Sequence, residues 1–548
     1  MSVRGVLQHW VLQWYDAIVA DLIRQFRWSF LPPLMVYFAA GVSALTAIVG
    51  TFFVKEYLGL SAAYLAGLAF WAGLPWALKM PLGHLVDVMW RWKGGLVYVG
   101  AALIAASLII MYGLVSYPAA MAGIMAPEAW YVLSVILAPM GYVVQDAVAD
   151  AMSVEAVPRF DADGRPIGDA ESKTMHTTVQ TLGRVALIIG LVMVAALNIV
   201  MFDGVEALSA NQKLAVYGRI YLLALVIPLI SVSGVLLAEI IRAHQRRLLR
   251  SAGIPELDIA SRLDYREEAT KPNYWYFGGG AIFLILTAAV GLLSPPMAQE
   301  IVFLGSMAIV LFLMRRLLAE LEPDRARALV GTAIIIFVFR AVPLPGAGAT
   351  WFEIDELGFD QQFLSILSLL TSLLALVGMV VLRPLMASRS IVYVIVVLTI
   401  AAGVLSIPNI ALYFGIHKWT EQLTGGIVDA RFIALVDAAV ESPLGQVAMI
   451  PMLAWIAKNA PGHLKATFFA VMASFTNLAL SASSLLTKYA NQIFPVTREV
   501  RERASGELIV AADYSMLGWL LVSVAMVSVI APLAAIVVIQ RSQLRTTS

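Results

Sequence analysis

The chain has 548 residues, of which 60% are hydrophobic and 13% charged, and its mean hydropathy is +0.84. Soluble globular proteins are about 45–50% apolar, so this composition excludes a soluble globule and predicts an integral membrane protein. The net charge of +1, without a tail of one sign, argues against a nucleic-acid partner, and the lack of cysteine excludes disulfides, thiolate metal ligands and cysteine nucleophiles.

The apolar runs are continuous and long enough to cross a membrane, which predicts helices rather than a β-barrel. Residues 1–30 mix Trp and Leu with Gln, Asp and Arg at helical spacing, which predicts an interfacial amphipathic helix lying on the membrane. Six spans then make up an N-terminal half at residues 31–242. We place them at about 31–54, 61–84, 94–116, 128–152, 177–202 and 215–242.

A charged segment at residues 243–273 is expected to be a cytoplasmic linker, and two additional hydrophobic runs follow within residues 274–318. Six further spans form a C-terminal half at residues 328–541. They lie at about 328–345, 361–386, 390–414, 431–457, 463–488 and 513–540. The sequence therefore predicts an all-α membrane protein with two six-helix halves and an inserted helix pair, about 14 transmembrane helices in total.

The distribution of basic residues predicts the orientation. If the N-terminus is cytoplasmic, the loops placed inside hold most of the Lys and Arg, including the stretches Arg242–Lys271 and Arg315–Arg327. The positive-inside rule therefore places both termini in the cytoplasm. Nothing at the N-terminus resembles a cleavable signal, so the first membrane helix is expected to serve as its own insertion signal.

Two carboxylates interrupt a membrane-spanning run in the segment Met140–Glu155, MGYVVQDAVADAMSVE. Asp146 and Asp150 are four residues apart and share one face of the helix, which must look into the bundle or a water cavity because lipid contact is costly. Asp437 and Glu441 repeat this spacing in the second half. An acid-bearing helix in each half indicates a repeated transporter.

The segment PWALKMPLGHLVDVMWRWKGG, between the second and third predicted spans, resembles the signature loop of the major facilitator superfamily. Gly83 is expected to permit a close helix contact, and Asp87 to lie against a neighbouring helix N-terminus, with Arg91 following. Val88 and Trp90 depart from the usual Arg and Gly, so the match is partial. The alternative is an ordinary charged loop at the membrane surface.

Four strings resemble the folate-biopterin transporter family. They are PWALK at Pro75–Lys79, QDAVADAMSVE at Gln145–Glu155, and the segments Phe337–Leu364 and Ala448–Ser483. Met80 replaces the usual Pro, and the pair at residues 274–318 exceeds the twelve helices expected. The resemblance implies a major facilitator fold with inverted repeats inside each half and a central site open to either side in turn.

The intramembrane charges and the signature loop supply the candidate gating residues, which are Asp146, Asp150, Arg184, Asp87, Arg91 and Lys79. Arg184, about 10 Å into the fifth span by the helical rise, is expected to reach the depth of Asp146 or Asp150. A charge pair there would close the cytoplasmic side and open when one partner is protonated or captured. The alternative is a permanent structural ion pair.

The candidate residues for substrate binding or coupling are Glu441, Arg340, Asp437, Asn477 and Trp71. The guanidinium of Arg340 suits a carboxylate such as a folate glutamyl tail, or is the counter-ion of Glu441. Glu441 can accept hydrogen bonds from a pterin edge or carry a coupling proton, while Asp437, closer to the outer surface, is the weaker candidate. Trp71 can stack on a flat heterocycle, although packing is the commoner role, as interhelical hydrogen bonding is for Asn477.

These patterns predict secondary transport of a small organic solute. The resemblance implies that this solute is an anionic pterin or folate, and the buried carboxylates lead to the hypothesis that transport is coupled to protons. One alternative is another solute, such as a muropeptide or drug-like compound. Another is a non-transporting assembly factor for a pigment or lipid complex, with a protein partner at the extra helices. No enzyme activity, metal or cofactor is expected, because no nucleophile, metal set or phosphate loop is present. The expected location is a bacterial inner membrane.

Overall fold

The structure is a computed structural model that describes residues 26–58, 60–77, 79–158, 165, 167–263, 274–293, 295–319, 321–381, 390–447, 465–501 and 508–545. The helices before the predicted linker are α1 (Leu31–Val42), α2 (Ala47–Tyr57), α3 (Ala62–Ala77), α4 (Lys79–Val88), α5 (Lys93–Ser116), α6 (Pro118–Ala122), α7 (Pro127–Glu155), α8 (Asp169–Met201), α9 (Ala210–Ala224) and α10 (Val226–Ser251). The linker and the inserted pair contain α11 (Glu256–Leu263), α12 (Tyr274–Leu293) and α13 (Ala298–Leu318).

The remaining helices are α14 (Pro323–Arg340), α15 (Ala347–Asp355), α16 (Gln361–Val381), α17 (Ile391–Tyr413), α18 (Ile416–Thr424), α19 (Ala430–Val447), α20 (Lys465–Ile493) and α21 (Leu517–Gln540). A small antiparallel hairpin pairs β1 (Val500–Arg501) with β2 (Leu508–Val510). The predicted all-α class is thereby confirmed, and the described part of each predicted span is mainly helical. Within the described ranges, nine helical stretches are long and apolar enough to cross a membrane.

Local sequence explains where several helices begin and end. Proline occupies the first turn of α1, α7 and α14, where its missing N–H costs no hydrogen bond. Helix α10 continues past residue 242, the predicted end of the half, because the Ala, Gln, Arg and Leu residues that follow favour helix outside the membrane as well. The predicted linker thus begins as helix and also contains α11. The structure does not describe residues 1–25, so most of the predicted interfacial helix at residues 1–30 lies outside the described residues.

The two halves meet along two helix pairs. Helix α3 packs against α20 on one flank, and α8 packs against α16 on the other. We call the side where α1 begins and α21 ends the terminal face, and the opposite side, which holds the ends of α2 and α15, the far face. The positive-inside rule predicts that the terminal face is cytoplasmic.

The inserted pair lies beside the bundle. Helices α12 and α13 pack against each other, α12 rests on α4, and α13 contacts both α20 and α3. Buried residues of the pair, such as Val302 and Leu313, share one apolar core with Phe70 of α3 and Val471 of α20. The pair therefore covers the outside of the line where α3 and α20 meet. The sequence alone left its position open.

Four far-face elements were not predicted from the sequence: α6, α15, α18 and the β1–β2 hairpin. Each is short and lies in a segment that connects two spans, where hydrophobic periodicity carries little information. They matter for function because α15 and the segment beside the hairpin supply two of the contacts described below between the halves at the far face.

Candidate functional site

A cluster of charged residues lies inside the N-terminal half. The Nζ atom of Lys79, at the start of α4, is 2.6 Å from Oδ2 of Asp146 and 2.8 Å from Oδ2 of Asp150, both on α7. The hydroxyl of Tyr37, on α1, donates to Oδ1 of Asp150 at 2.6 Å. We call these four residues the Lys79 cluster. The predicted four-residue spacing indeed brings both carboxylates to one face, where a single ammonium contacts them.

The Lys79 cluster keeps accessible surface although its helices cross the membrane. The side chains of Lys79, Asp146 and Asp150 retain 22%, 26% and 41% of their accessible surface. Helices α1 and α4 both pack on α7, the helix that carries the two carboxylates. Because ionised groups facing lipid are costly, we expect this accessible surface to face a space among the helices. Charged groups in such a position can exchange partners with water, protons or a solute.

The expected partner Arg184 takes a different position. Its side chain, on α8, is exposed and interacts electrostatically with Tyr37, Asp146 and Asp150. Among the described residues, however, the ion pairs of these two carboxylates are formed with Lys79. Sequence spacing predicted the depth of Arg184, but it could not show whether Arg184 or a lysine on another helix pairs with the carboxylates.

A second ion group marks the terminal end of α7. Glu155, its last residue, contacts Lys93 at 2.8 Å and also pairs with Arg242. Asp150 lies five residues and Asp146 nine residues before Glu155, so by the helical rise the Lys79 cluster lies about 8–14 Å deeper. Asp87 falls within α4 and Arg91 within a 3-10 turn, but the structure does not describe their side chains. Their predicted gating role stays a prediction.

The C-terminal candidates lie on separate helices. Asp437, on α19, is 7% exposed and accepts a hydrogen bond from Nδ2 of Asn409 at 2.9 Å. Arg340 is the last residue of α14 and is half-buried. The backbone of Glu441 belongs to α19, but its side chain lies outside what the structure describes, so a pair with Arg340 stays a prediction.

Asn477 and Trp71 lie where α20 meets α3. The side chain of Asn477 donates from Nδ2 to the carbonyl oxygen of Trp76 at 3.1 Å and thereby joins the two halves. Trp71 packs edge-to-face on Phe70, with ring centroids 5.6 Å apart, at the edge of the shared apolar core. Asn477 thus forms an interhelical hydrogen bond and Trp71 packs in the core, which are the commoner roles of such residues.

The far face carries polar contacts between the halves that sequence reasoning missed. Lys55, near the end of α2, pairs across the halves with Asp355 of α15. Tyr514, of the same half as Asp355, donates its hydroxyl to this carboxylate at 2.5 Å. The Arg498 guanidinium donates to the carbonyl oxygen of Leu58. Burial and the neighbouring carboxylate raise the pKa of Tyr514, while burial lowers that of Arg498 to about 10, so both groups keep their protons at neutral pH.

Two further hydrogen bonds connect the halves near the same surface. Gln361 donates to the hydroxyl of Tyr217 at 2.9 Å, and Gln362 donates to Asp203 at 3.3 Å. We call these contacts, together with those of Asp355 and Arg498, the far-face layer. No sequence motif marks them, because each joins residues more than 140 positions apart. In this structure the halves are closely associated at the far face.

Helix α15 also carries an unusual acid. Glu353 lies two residues before Asp355, on the opposite side of the helix, and burial together with the nearby Asp437 carboxylate raises the pKa of Glu353 to about 7. A carboxyl group with such a pKa changes its charge near neutral pH. Among the described residues, no group of three or more His, Asp or Glu is placed to hold a metal ion.

Comparisons with known proteins agree with this architecture. The model of the BT1 family matches residues 40–546. A folate-biopterin transporter from Synechocystis sp. (strain ATCC 27184 / PCC 6803 / Kazusa) is 22% identical over 476 residues, which cover 84% of this chain and 75% of the relative.

Solved transporters share the fold at low identity. A POT family transporter in complex with 5-aminolevulinic acid has a TM-score of 0.58 at 12% identity, covering 93% of this chain and 95% of the other. A variant of the nucleoside transporter NupG has a TM-score of 0.52 at 12% identity, covering 93% and 98%. The resemblance to the folate-biopterin transporter family is thus confirmed: the chain belongs to the BT1 family and is a multi-pass membrane transporter with a major facilitator fold.

Proposed function

We propose that this protein carries a small anionic heterocycle of the pterin or folate class across a bacterial inner membrane by alternating access, coupled to protons. The Lys79 cluster is the observation that carries the proposal. It places two carboxylates within 2.8 Å of a single ammonium, inside the membrane, and all three side chains keep accessible surface. A purely structural ion pair has no need of accessible surface.

The charges of the cluster suggest how an anion and a proton are exchanged. Asp146 and Asp150 together balance the positive charges of Lys79 and Arg184 when all four are ionised. Protonation of one carboxylate leaves an excess of positive charge, which a carboxylate of the solute can neutralise through the lysine or the guanidinium. Loss of the proton restores the Lys79 contacts and releases the solute. In this scheme the same charged side chains, Lys79, Asp146, Asp150 and Arg184, serve both gating and coupling.

The far-face layer supports a cycle with two closed forms. Its contacts join the halves at one surface, whereas the Lys79 cluster is contained within the N-terminal half. We interpret the structure as the form closed at the far face, which is predicted to be the outside. Release of the far-face layer would expose the same central region from the other side.

The substrate class comes from the family. The Synechocystis relative is named as a folate-biopterin transporter, and Arg340 and Glu441 remain the candidates for contacting a glutamyl tail and a pterin edge. The alternative of an assembly factor would use the inserted pair as a docking surface. Gln299 and Glu300 of that pair instead contact α3 and α20, which favours transport.

Uptake of labelled folate and biopterin into proteoliposomes, with and without a pH gradient, tests the proposal. We expect gradient-driven uptake by the wild type, and a loss of at least about tenfold for Asp150→Asn and Glu441→Gln, a change of about 1.4 kcal/mol. Glu128→Gln is the matched control, because Glu128 lies exposed in the first turn of the helix that carries Asp150. Uptake that is independent of pH and unchanged in both variants would refute proton coupling through these acids.

A further inference from the structure

The inserted pair contacts both halves through one side chain. The amide nitrogen of Gln299, in the first turn of α13, donates to the carbonyl oxygen of Gly67 on α3 at 3.0 Å. The amide oxygen of Gln299 accepts from Nζ of Lys488 on α20 at 2.7 Å. Helix α3 belongs to the N-terminal half and α20 to the C-terminal half, so each end of this amide is bound to a different half.

The pair is held more firmly to α20 than to α3. Beside its bond to Gln299, Lys488 forms an ion pair with Glu300 at 3.3 Å, and the Tyr489 hydroxyl donates to the same carboxylate. The Glu300 side chain is 12% and the Lys488 side chain 20% exposed, so this pair is largely removed from solvent. On the other side, the polar contact with α3 is the bond to the Gly67 carbonyl.

The position of this contact along the helices matters. Gly67 lies five residues from the far end of α3, and Lys488 five residues from the far end of α20, so both lie about 8 Å inside the far face. A Cβ atom on residue 67 would lie 2.7 Å from Nε2 of Gln299, so glycine makes room for the amide. Asn477 and Trp76 join the same two helices deeper in the membrane.

From this geometry we infer that Gln299 is a positioning residue of the transport cycle, through which the inserted pair holds α3 and α20 together near the far face and favours the conformation closed there. The inference rests on the alternating-access function proposed above. If the halves separate at the far face, one side chain cannot span the enlarged gap. The Gln299 bond to Gly67 then breaks, because the contacts to α20 are more numerous.

The expected effect follows from the strength of such bonds. Hydrogen bonds between transmembrane helices contribute enough to change an equilibrium by about 3- to 20-fold. Removing the bond should therefore raise the ratio of far-face-open to far-face-closed molecules by that factor. Gln299→Glu removes it while keeping an acceptor for Lys488, and Gly67→Ala removes it from the other side by displacing the amide.

Distances between spin labels at Asn211→Cys and Glu421→Cys provide the measurement. These exposed far-face positions lie one in each half, and the native chain has no cysteine, so labelling is specific. Pulsed dipolar spectroscopy on the full chain in liposomes should show a larger long-distance population for Gln299→Glu and for Gly67→Ala. The double variant should show no further increase, because both substitutions break the same bond.

Leu304→Ala, on the exposed side of α13, is the control for general weakening of the pair and should leave the distance ratio unchanged. Distances unchanged in Gln299→Glu and Gly67→Ala, or changed equally in Leu304→Ala, would overturn the inference. The readout needs no substrate. A shifted ratio without folate or biopterin uptake would therefore support the positioning role and reject only the proposed substrate.

Discussion

At the scale of single residues, the charges inside the membrane are compensated locally. Lys79 lies between two carboxylates, and Asp437 is bound by the amide of Asn409. The acids could be singled out in the sequence because a carboxylate in an apolar run is costly and needs a partner. The partner could not be named, because lysine and arginine candidates on different helices are equally visible in the sequence and only the packing of α4 on α7 decides between them.

Lys79→Met is expected to destabilise the protein, because it leaves two neighbouring carboxylates without their cation. The accessible surface of the cluster reduces the cost below the 3–5 kcal/mol of a dry pair, to about 1–3 kcal/mol. The free energy of unfolding in an SDS titration measures it. Adding Asp146→Asn and Asp150→Asn should restore most of the loss.

Lys213→Met serves as the reference for that experiment. Lys213, near the start of α9, pairs at 3.0 Å with Glu206 of the preceding far-face connection, and the Glu206 side chain is 53% exposed. Exposed pairs contribute at most about 1 kcal/mol. A loss for Lys79→Met no larger than for Lys213→Met would mean that the cluster has no special electrostatic cost.

Glu353 predicts a dependence of stability on pH. Its pKa of about 7 lies above the unfolded value, so its contribution to stability is complete below about pH 4.5 and is lost as pH rises through 7. The wild type should therefore lose thermal stability across this window, whereas Glu353→Gln should lose less and be the more stable at pH 8. Melting temperatures in detergent from pH 4 to 8 give the comparison. Equal slopes for the two proteins would contradict the burial of this acid beside Asp437.

At the scale of elements, glycine decides how closely helices approach. A Cβ atom on Gly41 of α1 would lie 2.0 Å from the carbonyl oxygen of Leu187 on α8, so the two backbones touch at this point. The sequence pointed instead to Gly83. Among the described residues, a Cβ atom on Gly83 would meet nothing within 4 Å, so the expected close contact is not found there. A glycine in a motif and a glycine in a helix crossing look alike in the sequence.

The two glycines should respond to alanine with opposite signs. Gly41→Ala is expected to destabilise by at least about 2 kcal/mol, because a backbone carbonyl cannot move aside as a side chain can. Gly83→Ala should stabilise α4 by about 0.5–1 kcal/mol, since alanine loses less entropy in a helix. Unfolding titrations of the two variants side by side test this. Similar destabilisation by both would place a close neighbour at Gly83 after all.

At the scale of the whole molecule, the sequence predicted the all-helical membrane fold well, but it did not predict how distant helices contact one another. Hydrophobic length is set by membrane thickness, so each span is visible locally. The position of α12 and α13 over the α3–α20 contact depends on side chains such as Gln299 that carry no periodic signal. The far-face layer was missed for the same reason. Its residues, many of them near helix ends, carry no recognisable pattern until the fold brings pairs such as Lys55 and Asp355 together.

The hairpin segment at the far face also forms part of a surface that a conformation-specific antibody fragment could recognise. Arg498 reaches from the C-terminal half to the carbonyl of Leu58 in the N-terminal half, and β1 follows two residues later. The surface made by this loop and the end of α2 is therefore a composite epitope that exists only while the halves are together there. An antibody fragment selected against it would recognise one conformer, arrest the carrier, and add the mass that electron cryomicroscopy of a 59.3 kDa protein requires.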